Sequence, residues 1–194
     1  MDLFDAKGQR LYLSESEHAD FLEAARNADR FVRTFCLVLA YTGCRISEGL
    51  ALTPESIDFA GGSIVFETLK KRRSGVYRAV PVPEDVLDTI DMAHGLQRAS
   101  KREKKAMAGK PLWDWSRMTA WRRVKEVMDA AKIDEGPHKS PKGLRHGFGV
   151  HAISKAVPLN MLSKWMGHAS LEVTAIYANA VGEEQRNIAS RMWE

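Results

Sequence analysis

Cysteine is scarce in this sequence, where Cys36 and Cys44 are the only two among 194 residues. A chain of this length can bury a core that needs no disulfide, so we expect two reduced, packed thiols in a cytoplasmic protein. Long apolar runs are also missing. The longest, residues 35–41, is far too short to cross a bilayer. No basic segment followed by an apolar one opens the chain, so we expect neither a membrane span nor a secretory signal.

A strong charge of either sign is lacking as well, because 29 Lys and Arg residues face 25 Asp and Glu residues. The formal net charge of +4 is only a weak indication of a polyanionic partner. Its distribution is more informative, since basic residues cluster at 70–73, 101–105 and 122–125. Separate clusters suit a phosphate backbone followed over a long surface. Each cluster alone is explained equally well as a solvated surface.

The hydrophobic pattern predicts a mostly α fold with a small antiparallel β-sheet (α+β). Apolar residues recur at helical spacing over residues 29–42, and this helix stops at Gly43. Strand-like alternation over residues 63–66 and 76–80 predicts a hairpin, joined by a basic loop that contains glycine. Further helices are expected to begin near Ser14, Glu84, Thr119, Pro141, Pro158 and Ser170.

Three less regular stretches complete the prediction. Residues 12–13 form a short apolar lead-in, which we interpret as a strand stub. Residues 94–110 are polar and basic, and we expect an exposed connection. Trp113 restarts the core, and the helix over residues 119–131 is predicted to carry Trp121 on its apolar face.

Two arginines and a lysine are candidates for an anion site. Lys142 and Arg145 are three residues apart near the start of a predicted helix, so they share one face, and the amide dipoles there favour an anion. Arg45 follows the turn marked by Gly43. A guanidinium presents a planar fork that matches phosphate oxygens. One arginine is more often a surface salt bridge, but two arginines in such settings weaken that explanation.

A histidine and a tyrosine follow at the next two helix boundaries. His168 comes directly after Gly167, where its imidazole can project rather than pack. Tyr177 alone is unremarkable, since most tyrosines in such contexts are core or rim residues. With cations nearby, however, the set supplies a nucleophile and positive charge for a reaction at a phosphodiester.

Three segments resemble motifs of the tyrosine recombinase (phage integrase) family. The first, T-G-C-R-I-S-E-G-L-A-L at residues 42–52, resembles the family's T-G-x-R-x-S-E-L. The second, L-R-H-G-F-G-V-H at residues 144–151, is similar to H-x-L-R-H-T-F-A-T-H. The third, L-S-K-W-M-G-H-A-S-L-E-V-T-A-I-Y at residues 162–177, resembles L-G-H-x-S-x-x-T-x-x-Y. Their order and spacing match the family over nearly the whole chain from Tyr12.

The resemblance implies a role for each residue of the set. Arg45 and Arg145 would clamp the scissile phosphate, and His168 would hydrogen-bond the phosphate or assist proton transfer. Tyr177 would attack, leaving a 3′-phosphotyrosyl link and a free 5′-hydroxyl. Glu48 fits the family's acidic support position. The link conserves the bond energy, so neither a metal nor another cofactor is implied.

The family also has a hairpin lysine that protonates the 5′ leaving oxygen. Lys70 is our candidate and Lys71 is its rival, because the strand register is uncertain by one residue. We expect contacts to the DNA backbone from four neighbouring or nearby cations: Lys71, Arg72, Arg73 and Lys139.

The sequence departs from the family pattern in two respects. Lys142 stands where the family usually has histidine, and nearby His138 is out of register. Family members also generally carry an N-terminal helical domain, whereas only about a dozen residues precede the predicted catalytic fold here. Either the chain is a minimal catalytic domain or it is a shortened one. We predict a lead-in at residues 1–12, a catalytic domain at 13–182 and a helix at 183–194 that docks on a neighbouring protomer.

The function implied is that of a site-specific recombinase for integration, inversion or resolution. Its expected partner is double-stranded DNA, on which it would form a tetramer, while the free chain would be a monomer or weak oligomer. Two alternatives stay open: an enzyme resembling type IB topoisomerases, and a non-catalytic DNA-binding regulator. A covalent adduct separates the enzymes from the regulator, and recombinant junctions separate recombinase from topoisomerase.

Overall fold

The computed structural model describes residues 2–67, 75–179, 186, 189–190 and 192–193. Within them, the chain forms helices and one small sheet. In chain order the elements are α1 (Glu15–Arg26), α2 (Arg30–Thr42), α3 (Ile46–Leu50), a 3-10 turn (Pro54–Ser56), β1 (Ile57–Asp58), β2 (Ser63–Glu67), β3 (Tyr77–Pro81), α4 (Glu84–His94), α5 (Lys101–Met107), α6 (Arg117–Ala130), α7 (Pro141–Ser154), α8 (Leu159–Met166), α9 (Leu171–Ala175) and a second 3-10 turn (Ile176–Asn179).

Local capping groups determine the ends of the first two helices. The Ser14 hydroxyl accepts a hydrogen bond from the Glu17 backbone N–H at 3.3 Å, and the Glu17 carboxylate accepts one from the Ser14 N–H at 2.8 Å. This is a capping box. Asp29 caps α2, and Gly43 ends it in the left-handed conformation with φ 58°. The chain therefore turns sharply just before Arg45.

The sheet is antiparallel, with strand order β1–β2–β3. β2 and β3 form the predicted hairpin, in which Ile64 pairs with Val80 and Phe66 with Arg78. The two-residue strand β1 pairs Ile57 with Ile64 and was not predicted. The mostly α class with a small antiparallel sheet is confirmed.

The described residues bury two hydrophobic clusters. The larger one surrounds residues such as Phe35, Ile64 and Ile90 of α2, the sheet and α4. The smaller one lies between the N-terminal segment, α7, α8 and the last 3-10 turn. Its buried members are Leu3, Tyr12, Val150, Ala152, Leu162, Met166 and Tyr177.

The predictions for residues 94–110 and for Trp121 need correction. Residues 94–110 contain a helix, α5, which Ser100 and Glu103 cap and which buries none of its side chains. No apolar face marks such a helix in the sequence. Trp121 is 44% exposed and not a core residue. Trp113 is buried as predicted, and its indole N–H donates to the Phe31 carbonyl at 2.9 Å.

Near the N-terminus the structure differs from the prediction, and near the C-terminus most of the predicted helix lies outside the described residues. Residues 12–13 are not a strand; the Leu13 N–H instead donates to the Gly143 carbonyl at 3.1 Å. Most of residues 183–194 lie outside the described residues, so the predicted terminal helix stays a prediction. None of the helices described is both long and apolar enough to span a membrane.

Candidate active site

Arg45 occupies the N-cap position of α3, directly after the turn that Gly43 and Cys44 form. Its backbone N–H donates to Glu48 Oε2 at 2.8 Å, and its Nη1 donates to Glu48 Oε1 at 3.1 Å. The Arg45 side chain is 30% exposed, whereas that of Glu48 is 2% exposed. The carboxylate therefore holds the guanidinium from the protein side and leaves its other edge toward solvent.

Arg145 joins two turns that are distant in sequence. Ser140 caps α7 and Pro141 is its first residue, as predicted, which places Arg145 in the second turn. Its guanidinium donates to the carbonyls of Gly43 and Met166, the latter at 2.8 Å. Burial and the charge of Arg45 lower the pKa of Arg145 to about 10, so it stays charged at neutral pH.

The three predicted cations line one cleft of about 320 Å³. Arg45 and Arg145 contribute two guanidiniums to this cleft, and Lys142 adds an exposed ammonium. Arg117 and Trp121 of α6 also line this cleft. Guanidinium and ammonium groups that converge in this way suit a phosphate group, whose oxygens accept hydrogen bonds from several directions.

His168 follows α8, which Gly167 ends in the left-handed conformation with φ 64°. Its Nδ1 lies 2.8 Å from the Thr174 hydroxyl oxygen, and its ring stacks on that of Tyr177 with centroids 6.2 Å apart. Burial and the charges of Arg145 and Arg45 lower the pKa of His168 to about 4. The ring is therefore neutral at pH 7 and offers hydrogen bonds rather than charge.

Tyr177 lies on the last 3-10 turn and is fully buried, at 0% exposure. Its hydroxyl lies 3.2 Å from Nδ1 of His146. Burial raises the pKa of Tyr177 to about 12, although the charges of Arg145 and Arg45 oppose this effect. In this conformation the phenol is sequestered, and it must leave the pocket to reach a phosphate in solvent.

His146 belongs to the second motif, but no role was predicted for it. The side chain is 0% exposed, and no hydrogen-bond partner is found for its Nε2. Burial and the charges of Lys142 and Arg145 lower the pKa of His146 to about 4, so the ring is neutral at pH 7. A neutral imidazole can accept a hydrogen bond from a phenol. The only sequence signal was its position next to Arg145, which does not reveal the contact.

Gly149 lets the Tyr177 ring lie against α7. A Cβ at position 149 would be 2.5–2.7 Å from three ring atoms of Tyr177, closer than packing allows. We therefore expect Gly149→Ala to displace the phenol and to bring the Tyr177 pKa down toward 10. The measurement is a spectrophotometric titration of the variant, with Tyr177→Phe in the same background subtracted.

Gly147→Ala is the matched control, because its Cβ would meet the Leu13 carbonyl at 2.8 Å and not the Tyr177 ring. It makes the same change on the same helix, and the Tyr177 pKa should stay raised. A Gly149→Ala variant whose phenol still titrates near 12 would show that the pocket adapts without releasing the ring.

Of the other predicted DNA-binding residues, Lys139 is the one that the described part of the chain includes. Lys70, Lys71, Arg72 and Arg73 lie outside the described residues, so the choice of hairpin lysine stays open. The Lys139 ammonium lies 2.6 Å from both Asp129 Oδ1 and Glu135 Oε1, and its side chain is 6% exposed. Because two carboxylates already hold this amine, we leave Lys139 out of the proposed DNA contacts.

His138, which was out of register in the sequence, also lies away from the cleft cations. Its Nε2 is 3.3 Å from Glu17 Oε1, next to the ion pair of Glu17 with Arg10. Its carbonyl approaches Gly143 so closely that a Cβ there would lie 1.8 Å from the oxygen. His138 thus fixes the loop before α7 and does not line the cleft, so Lys142 remains the candidate cation beside Arg145. Among the described residues, no group of His, Cys, Asp and Glu is arranged to hold a metal ion.

The fold is that of tyrosine recombinase catalytic domains. The chain belongs to the Phage integrase family, whose family model matches residues 12–184. It is similar to tyrosine recombinase XerA of Pyrococcus furiosus, with 27% identity over 188 residues that cover 92% of this chain and 60% of that protein.

Two solved structures share the fold. A crystal structure of XerA recombinase has a TM-score of 0.78 at 23% identity, over 95% of this chain and 65% of that one. XerH site-specific recombinase bound to its difH substrate, in a pre-cleavage complex, has a TM-score of 0.71 at 18% identity, over 98% and 60%. The chain spans between 42% and 61% of the length of these curated relatives.

Proposed function

We propose that this chain cleaves and rejoins DNA strands as a site-specific tyrosine recombinase. Tyr177 Oη gives up its proton and attacks the scissile phosphorus, the bond from phosphorus to O5′ breaks, and a 3′-phosphotyrosyl link remains. The O5′ atom takes up a proton and leaves as a hydroxyl. Attack by the free 5′-hydroxyl of another strand reverses these steps and releases Tyr177.

One observation carries the proposal: Arg45, Lys142 and Arg145 line the same cleft. The segment with His168 and Tyr177 is connected to this cleft, because Arg145 donates a hydrogen bond to the carbonyl of Met166 at the end of α8. Charge that develops on the phosphate oxygens would be stabilised by cations already held in place. A relative of the same fold is described in complex with its DNA substrate before cleavage.

The assembly belongs to the same proposal. Residues 13–182 would form the breaking and rejoining domain, and residues 183–194 would dock on a neighbouring protomer. Met192 and Trp193 support this, since their side chains are 82% and 79% exposed, and exposed large apolar side chains often mark contact sites. Four protomers on two duplexes would bring four strands to be exchanged.

Covalent capture tests the function without knowledge of the target site. The chain is incubated with a random pool of nicked duplexes, in which the cleaved fragment diffuses away and traps the intermediate. We expect an adduct that survives denaturation, with DNA attached to the peptide that contains Tyr177. Absence of any adduct, or attachment at another residue, contradicts the proposal. Recombinant junctions from the recovered sequence, rather than relaxation alone, distinguish a recombinase from a topoisomerase.

Lys142 gives a further prediction. Its ammonium donates hydrogen bonds but accepts none, so we assign it the role of a charge donor to the phosphate. Lys142→Ala should slow adduct formation by about 10²-fold, and Lys142→Glu should slow it further. Lys142→His should retain substantial cleavage, because imidazole also donates to a phosphate oxygen.

Adduct formation by these variants is followed on the captured duplex across a range of pH. Lys110→Ala, which removes an exposed lysine outside the cleft, is the control and should cleave like the wild type. Wild-type rates for Lys142→Ala at every pH would remove Lys142 from the site.

A further inference from the structure

Arg78 is a buried arginine in the middle of β3. Burial alternates along this strand, so Arg78 and Val80 face inward, and the Arg78 side chain is 4% exposed. Its Nη1 and Nη2 donate to the two carboxylate oxygens of Glu48, at 3.3 and 2.9 Å. An arginine at a core position needs a buried counter-ion, because an unpaired charge there is costly. Glu48 is that counter-ion.

Two further contacts fix the orientation of the Arg78 guanidinium. Its Nε donates to the Trp165 carbonyl at 2.8 Å, and its Cζ lies 4.9 Å above the ring of Phe66. A Cβ at Gly167 would lie 3.0 Å from Arg78 Nη1. Arg78 is therefore packed between the sheet and the end of α8, with little freedom to turn away from Glu48.

Glu48 lies between two guanidiniums, since it also accepts hydrogen bonds from the backbone N–H and Nη1 of Arg45. Burial raises the pKa of Glu48, but the charge of Arg78, the Arg45 N–H and the charge of Arg45 together hold it below the ordinary value. The carboxylate is ionised at neutral pH. One negative charge thus faces two positive charges, and the trio keeps a net charge of +1.

The position of the two arginines decides where this surplus charge acts. Arg78 lies on the buried side of Glu48, whereas Arg45 lies on the exposed side and lines the cleft. Without Arg78, Glu48 and Arg45 would form an isolated pair with no net charge. A phosphate in the cleft would then meet a guanidinium whose charge its own partner largely cancels.

We propose that Arg78 is a positioning residue that acts through Glu48: it offsets the carboxylate charge from behind, so that Arg45 faces the scissile phosphate as an uncompensated cation. This inference rests on the proposed function, in which Arg45 binds that phosphate. Arg78 itself does not touch the substrate. Its effect therefore depends on the charge of Glu48, and this dependence separates the role from plain structural support.

The test compares adduct formation by four variants on the duplex that the wild-type chain captures. Arg78→Met should slow adduct formation by about 10²-fold, the scale for loss of one oxyanion donor. DNA affinity, measured with Tyr177→Phe also present, should change far less than the rate.

Glu48→Gln removes the charge that Arg78 offsets. The double variant Glu48→Gln/Arg78→Met should therefore cleave at the rate of Glu48→Gln alone and faster than Arg78→Met. Arg26→Met removes an exposed arginine of α1 and controls for the loss of one positive charge.

Two results would overturn the proposal. One is a folded Arg78→Met variant that cleaves at the wild-type rate. The other is a double variant slower than Glu48→Gln by the same factor that separates Arg78→Met from the wild type, because additive losses mean that Arg78 does not act through Glu48. If Arg78→Met alone does not melt cooperatively, the rate of a folded double variant is compared directly with that of Glu48→Gln: an equal rate supports the proposal, and a much slower rate contradicts it. If the wild-type chain forms no adduct at all, the proposed function fails first, and the two failures are distinct.

Discussion

Tyr177→Phe is expected to abolish the covalent protein–DNA adduct while the chain still binds DNA. The substitution removes the oxygen that we propose as the nucleophile and keeps the ring, which is fully buried and packs against Gly149 and His168. The hydrogen bond to His146 is lost, which should lower the free energy of unfolding by about 1–3 kcal/mol because that nitrogen is left buried. The rate of adduct formation should fall below detection.

The adduct is measured on denaturing gels, and binding is measured separately by mobility shift on the captured duplex. Tyr77→Phe is the matched control, because Tyr77 is 64% exposed and does not line the cleft of Arg45, Lys142 and Arg145. An adduct that persists in Tyr177→Phe at a comparable rate would assign the nucleophile to another residue.

Arg45→Ala should slow adduct formation by about 10²–10³-fold, the usual effect of losing one donor to a developing oxyanion. Little stability should be lost with it, since Glu48 keeps its bidentate partner Arg78. Arg145→Ala should slow the reaction as strongly and should also destabilise the fold. It leaves the carbonyls of Gly43 and Met166 without their donor, at about 1–3 kcal/mol each.

The two arginines are therefore separable by measuring the rate and the melting temperature together. Arg26→Ala, on the exposed last turn of α1, should change neither. Cleavage at the wild-type rate by Arg45→Ala would show that the phosphate binds elsewhere. An unchanged melting temperature for Arg145→Ala would show that the bonds to the two turns contribute nothing to stability.

The sequence predicted those parts of the site that depend on local signals. Gly43 and Gly167 each end a helix in the left-handed conformation, and Ser140 with Pro141 starts another, so the positions of Arg45, His168 and Arg145 follow from neighbouring residues. Such signals act within a few residues of the side chain they place. They could be recognised without knowledge of the tertiary structure.

Contacts between distant elements could not be predicted in this way. The burial of Tyr177 depends on Gly149 and His146 of α7, and no pattern around Tyr177 reveals them. The exposure of Trp121 likewise depends on what α6 packs against, because its spacing fits an apolar helical face. Arg78 did leave a signal, a charged residue at an inward position of an alternating strand, but its counter-ion Glu48 is 30 residues away.

The division of the interior into two clusters has a consequence for how the molecule can open. Local opening of a protein follows cooperative units, and each unit has its own free energy below that of global unfolding. Tyr177 belongs to the smaller cluster, with Leu3, Leu162 and Met166, whereas Ile46 of α3, next to Arg45, belongs to the larger one. Partial opening of the smaller unit would therefore release Tyr177, the proposed nucleophile, while Arg45 keeps its hydrogen bonds to Glu48.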